Sequence, residues 1–223
     1  MLLMDLSAKK RQRKRETMAE FSARDVKALR DATGAGMMDC KKALAEAGGD
    51  FEAAKRLLRE KGLADAAKRS GRAASEGIVY SYMHKPDPNF PPKLGVLLEL
   101  NCETDFVAKT EDFERLAKDI AMHISFSDPS WTVREEVPQS VIDEESAIYA
   151  KQAKDSGKPE KVIEKIVAGK LESFYKDNVL LDQEWIQERG KTIGELIDQA
   201  KASMGENITI GRFCRVRVGE GKA

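Results

Sequence analysis

The side chains able to do chemistry are few and widely spaced. The sequence holds two histidines, His84 and His123, and three cysteines, Cys40, Cys102 and Cys214, with no C-x-x-C spacing. An odd, sparse set of thiols suits reduced cysteines rather than a disulfide or zinc framework. His123 follows Ile120 by three residues on an apolar helical face and reads as a packed core histidine. A nucleophile–base pair of Cys102 and His123 has no support in the residues around either. No phosphate-binding loop, dinucleotide fingerprint or zinc motif occurs. Carboxylates accompany lysines, as in Glu160-Lys161 and Glu164-Lys165, the pattern of solvated helix faces. These residues give no basis for covalent or acid–base catalysis, and no cofactor is expected.

Two segments carry side chains that do not suit their local setting. An apolar run ending at Leu100 leads into Asn101-Cys102-Glu103-Thr104-Asp105-Phe106-Val107-Ala108-Lys109-Thr110. A turn after a strand should be polar, yet Phe106 and Val107 follow Asp105 directly. Either Thr104 caps a helix and Phe106 packs into the protein's own core, or the segment is a contact surface. Met37 and Met38 follow a glycine turn. Neighbours on a helix point about 100° apart, so both cannot face one small core. Methionine is an adaptable contact surface when exposed.

The elements that must position these residues fall into two groups. Ser22 caps a first helix with Asp25 three residues on and Val26, Leu29 and Ala32 on one face. Thr33-Gly34-Ala35-Gly36 breaks it. Met37, Cys40, Ala43 and Leu44 mark a second helix up to Gly48-Gly49. Asp50 caps a third, with Phe51, Ala54, Leu57 and Leu58, ending at Gly62. Leu63 to Ser75 reads as a connecting helix. Ile78–His84 and Leu94–Leu100 then read as strands, joined by a stiff loop, Lys85–Pro92, with four prolines. Helical patterns follow over Glu111–Ile124, Ser140–Ser156, Pro159–Lys176 and Thr192–Met204. Ile208–Val218 alternates as a last strand, with a bulge near Gly211. The fold class is α+β: an N-terminal three-helix bundle, then a small antiparallel sheet covered by helices. The expected division is a disordered basic extension over 1–18, the bundle over 19–62, a linker helix over 63–77 and an α+β domain over 78–223.

Bulk properties narrow the function classes. The 223 residues carry 38 Lys+Arg and 38 Asp+Glu, a formal net charge of zero. A protein that binds nucleic acid through phosphates needs a cationic surplus, so direct nucleic-acid binding is not expected. The exception is Lys9–Arg15, six cations in seven positions. It reads as a solvated arm or as sequence preceding a true start at Met18. No run approaches the roughly 20 apolar residues of a membrane helix, so a cytoplasmic protein without membrane contact is expected.

The two unusual segments resemble signatures of the elongation factor Ts family. Val26-Lys27-Ala28-Leu29-Arg30 with Thr33-Gly34-Ala35-Gly36-Met37-Met38-Asp39-Cys40-Lys41-Lys42-Ala43-Leu44 is similar to its N-terminal, ubiquitin-associated-like module. Asn101–Ala108 is similar to its central motif. Similarity continues in order through Ala121–Ile124, Gly157-Lys158-Pro159, Glu172–Tyr175, Lys191–Gly194 and Arg212 to Gly221. The chain looks like the short form of the family, without the duplicated core half or the coiled-coil insertion. The Lys85–Pro92 loop departs from the family pattern.

The resemblance implies a partner and a task. The partner is the GTPase elongation factor Tu, and the task is guanine-nucleotide exchange, the release of its GDP so that GTP can bind. Thr104, Asp105, Phe106 and Val107 match the segment associated with dislodging magnesium from the GTPase. Arg30, Met37 and Met38 match positions of the module that holds one of its helices. His84, after Tyr80 and Tyr82, is similar to a family histidine near the interface. The short form also implies a homodimer. A ubiquitin-associated-type adaptor would leave the Asp105-Phe106 motif idle, and an RNA-binding protein would lack aromatics beside its basic run.

Overall fold

The computed structural model describes residues 21–87 and 89–220, so the basic run Lys9–Arg15 and Met18 lie outside the described residues. The described chain forms two compact units. One runs to Arg72 and includes Asp198–Asn207; the other holds Ala73–Ile197 and the residues from Ile208 onward.

The first unit opens with helix α1, Ala23–Thr33. Its start is a reciprocal cap: the Asp25 N–H donates to Ser22 Oγ and the Ser22 N–H to the Asp25 carboxylate at 2.6 Å. Gly34, at φ 69°, ends it in the left-handed region. Helix α2 is Met37–Glu46, and helix α3 is Phe51–Arg69, capped by Asp50. Val26, Leu29, Cys40, Ala43, Leu44, Ala54 and Leu58 form the shared core. The sequence pattern stops the third helix at Gly62, but α3 runs on without a break. One glycine costs a helix about 1 kcal/mol. That is too little to end nineteen residues rich in Ala, Lys, Arg and Leu, especially with Ala202 packed against Gly62.

The second unit is built on a three-stranded antiparallel sheet in the order β1 (Glu76–His84), β2 (Leu94–Cys102), β3 (Thr209–Arg217). Alternation on β2 buries Val96, Leu98, Leu100 and Cys102. Helix α4 is the single turn Asp105–Ala108, and helix α5, Glu111–Ser127, covers the strands with Phe113, Leu116, Ala117, Ile120, Ala121 and Ile124. The expected bulge is present. Leu98 pairs with Phe213 and Leu100 with Ile210, so Gly211 and Arg212 together oppose Glu99.

Helices α6 (Gln139–Asp155) and α7 (Glu160–Asn178) pack on each other around a short turn at Gly157. These two long helices pair as a hairpin, a pairing that periodicity within each helix does not reveal. Helix α8, Ile193–Met204, supplies Ile193 and Ile197 to the second unit and Ala200 and Lys201 to the first. No helix among the described residues is long and apolar enough to cross a membrane.

Candidate functional site

The candidate site begins where β2 leaves the core. Cys102, wholly buried, ends the strand opposite Glu76. Its thiol donates to the Thr104 carbonyl at 3.2 Å. Thr104 is extended, and its Oγ1 accepts the Val107 N–H at 3.4 Å, so the first half of the self-packing alternative holds: Thr104 does cap a helix. The second half does not. Phe106 is 79% exposed, and none of the four residues of α4 is buried.

This projection follows from the brevity of the helix. With one turn only Val107 and Ala108 reach the sheet, half-buried, while Asp105 stays exposed beside Phe106. Cys102 fixes one end. At the other, the Thr110 N–H and hydroxyl both donate to the Val107 carbonyl, at 3.0 and 2.8 Å, before α5 begins. Phe106 is left on the outward side. Asp105 accepts from Lys109 Nζ at 2.5 Å, one turn along. That hydrogen bond and charge hold the Asp105 carboxyl below its ordinary range. Both side chains are solvated, so the pair is open to exchange for another partner.

The first unit presents a second surface. Met37 and Met38 are 45% and 63% exposed on the first turn of α2, and Arg30 is exposed near the end of α1. Met38 lies across α2 from the buried Cys40 and Leu44, whereas Met37 shares their stripe and is exposed at its N-terminal end, where the core stops. Asp39 bonds to Lys61 Nζ of α3 at 2.5 Å, which ties the methionine-bearing turn to the bundle.

The structure does not bring His84 to the Phe106 segment. Cys102 pairs with Glu76 at one end of the β1–β2 ladder, whereas His84 pairs with Leu94 at the other. Eight residue steps at roughly 3.4 Å separate these ends by about 27 Å. His84 is exposed, and its Nδ1 lies 3.1 Å from the Tyr82 hydroxyl. His123 is 1% exposed, as expected of a core histidine. Gln183 Oε1 accepts from the Ser127 hydroxyl at 2.7 Å, and the Gln183 amide donates to the Asp177 carbonyl. Its oxygen therefore takes the His123 Nε2 proton, at 3.0 Å. The Cys102 and His123 contacts lead away from each other, and no thiol–imidazole pair forms.

The comparison with known proteins converges on one family. The model of the family described as Elongation factor TS matches residues 17–220. Elongation factor Ts of Fervidobacterium nodosum is 58% identical over 201 residues, covering 90% of this chain and all of the relative. Those of Frankia casuarinae and Moorella thermoacetica are 53% and 54% identical, each over 90% of this chain and 98% and 97% of the relative. The chain belongs to the elongation factor Ts family. As a member of this family it is a translation elongation factor, at work in protein biosynthesis.

Within this elongation factor Ts fold, sequence reasoning passed over the residues that hold the site. Lys109 was legible as the i+4 partner of Asp105. Thr110 was legible as a cap before the apolar face of α5. Nothing in the order of residues marked the Cys102 thiol as a tie to Thr104, because a buried cysteine is ordinarily just a small apolar residue.

Proposed function

We propose that this chain acts as a guanine-nucleotide exchange factor for elongation factor Tu. It binds the GDP form, disturbs the Mg²⁺ site of the GTPase and promotes GDP release. One observation carries the reading: Phe106 stands 79% exposed on a tied, single-turn helix at the end of a buried strand. A large apolar side chain held in solvent gains roughly 1.5–3 kcal/mol when a partner buries it. Thr104 and Val107 hold the turn, Phe106 wedges between partner elements, and Asp105 offers an acceptor once Lys109 yields. Mg²⁺ joins nucleotide phosphates to protein ligands, so a small shift of its site weakens several charge contacts together.

Arg30, Met37 and Met38 form the separate anchor in the ubiquitin-associated-like bundle. His84, at the far end of the ladder, contributes to a different contact. The cycle needs no covalent step and no cofactor. It needs reciprocal coupling: a hundredfold loss of GDP affinity requires about 2.7 kcal/mol, and GDP weakens the factor's binding equally.

The homodimer reading rests on the other face of the sheet. Val79 and Met83 of β1, Leu97 of β2, and Cys214 and Val216 of β3 are all exposed there. A second copy of the same face would bury them. Light scattering at micromolar concentration that finds only monomer sinks the dimer. A cytoplasmic site of action, without membrane or direct nucleic-acid contact, belongs to the same reading. The exchange function is tested by release of mant-GDP from elongation factor Tu. Acceleration by the wild-type protein is expected, and an unchanged dissociation rate overturns the proposal.

A further inference from the structure

Whatever Phe106 does depends on a helix too short to sustain itself. Residues Asp105–Ala108 make one turn, and the nucleation of a helix is unfavourable until further turns follow. Packing holds it only in part: Val107 and Ala108 rest half-buried against the strands, while Asp105 and Phe106 are exposed. Hydrogen bonds at its two ends supply the rest. At the strand side, the Thr104 carbonyl accepts from the Cys102 thiol and from the Ala108 N–H at 3.3 Å. At the α5 side, a single hydroxyl works in both directions. Thr110 Oγ1 donates to the Val107 carbonyl at 2.8 Å and accepts the Phe113 N–H at 3.3 Å. A hydroxyl can do both at once, whereas an ionised carboxylate can only accept. Phe113 is wholly buried. One side-chain oxygen thus links the turn that carries Phe106 to the residue that seats α5 against the sheet.

We propose that Thr110 is a positioning residue for Phe106, holding the turn in its projecting form before the GTPase arrives. The inference rests on the exchange reading of Phe106 given above. A preformed turn spares the complex the ordering of that segment on binding, so its loss appears as slower exchange rather than as unfolding.

The test is the rate of mant-GDP release from elongation factor Tu, with melting temperature measured on the same variants of the full chain. Thr110→Val loses both hydrogen bonds, and its exchange rate is expected to fall about fivefold, the order of one lost cap interaction. Thr110→Asp keeps an acceptor for the Phe113 N–H but has no side-chain proton for the Val107 carbonyl at neutral pH, which retains only the backbone N–H. It is expected to melt with the wild type and still to exchange as slowly as Thr110→Val. Thr110→Ser keeps both bonds and restores the rate. Placed in a Phe106→Ala background, all three substitutions are expected to have no further effect, because there is no ring left to position. Wild-type exchange by Thr110→Asp overturns the proposal. So does failure of Thr110→Ser to restore the rate, or losses that persist undiminished in the Phe106→Ala background, which would make Thr110 only a helix cap. If Phe106→Ala alone leaves exchange unchanged, the reading of Phe106 falls and this proposal with it. If Phe106→Ala is slow while Thr110→Asp is not, only the role of Thr110 falls.

Discussion

The two candidate contact surfaces are held in opposite ways. Met37 and Met38 ride on a ten-residue helix with one side packed by Cys40, Ala43 and Leu44. Helix geometry turns Met38 away from that buried side, and Met37, on the same stripe as Cys40 and Leu44, is exposed because it stands at the end of the helix. Phe106 rides on a four-residue turn of which only Val107 and Ala108 are half-buried, and its direction also depends on ties at either end. An anchor surface can therefore be robust and still adaptable, since methionine side chains bend. A wedge has to be stiff, and here stiffness is borrowed from the strand before it and the helix after it.

The sharpest way to break this contrast is to remove the support behind the wedge. Phe113→Ala empties a fully buried site, and we expect a loss of about 3–5 kcal/mol in denaturant unfolding. Exchange should decline as the folded population does. Phe106→Ala should do the reverse. The side chain is already in solvent, so unfolding should stay within about 0.5 kcal/mol of wild type. GDP release should slow by roughly 10- to 100-fold, in line with the 1.5–3 kcal/mol its burial would supply. Equal activity of Phe106→Ala and wild type would remove the site assignment.

On the anchor side, Gly34→Ala forces a side chain onto a backbone at φ 69°, and we expect about 1 kcal/mol of destabilisation in the bundle. The double substitution Met37→Ala, Met38→Ala should raise the concentration for half-maximal exchange by roughly fivefold, about 1 kcal/mol, without changing the plateau rate. A lowered plateau would mean that the methionines take part in release itself. The smallest effect separates the units by pH. Burial lowers the His123 pKa from its ordinary 6.5, so the folded protein disfavours the imidazolium. Above that ordinary value the ring is neutral whether the chain is folded or not, and the contribution to stability is complete. As pH falls below it, the unfolded chain takes up the proton first and stability declines until the folded pKa is passed. Melting scans between pH 7.5 and 5 should reveal this decline, and His123→Gln should flatten it.

Much of this was legible in the residues alone. The Ser22–Asp25 reciprocal cap, the Gly34 stop and the apolar run of β2 are local events with local causes, and the structure has each of them. The bulge at Gly211 was readable because Arg212, Arg215 and Arg217 cannot share one face of a regular strand. That Met37 and Met38 cannot both face the core followed from the angle between successive helical residues; that both stand exposed did not. The end of α3 was misread because a glycine was taken as a stop. Inside a helix of good formers with a close neighbour, it is only a small penalty.

What the sequence determined by itself was the family, the α+β class, and the two segments whose side chains do not suit their local setting. It could not decide whether Phe106 packs inward or stands in solvent, because both outcomes begin with the same Thr104 cap. Nor could it pair α6 with α7. Those answers depend on register and on hydrogen bonds between residues brought together by chain reversal. They therefore belong to the tertiary structure, which seats Cys102 in the core, ties Thr110 to Val107 and leaves Phe106 outside.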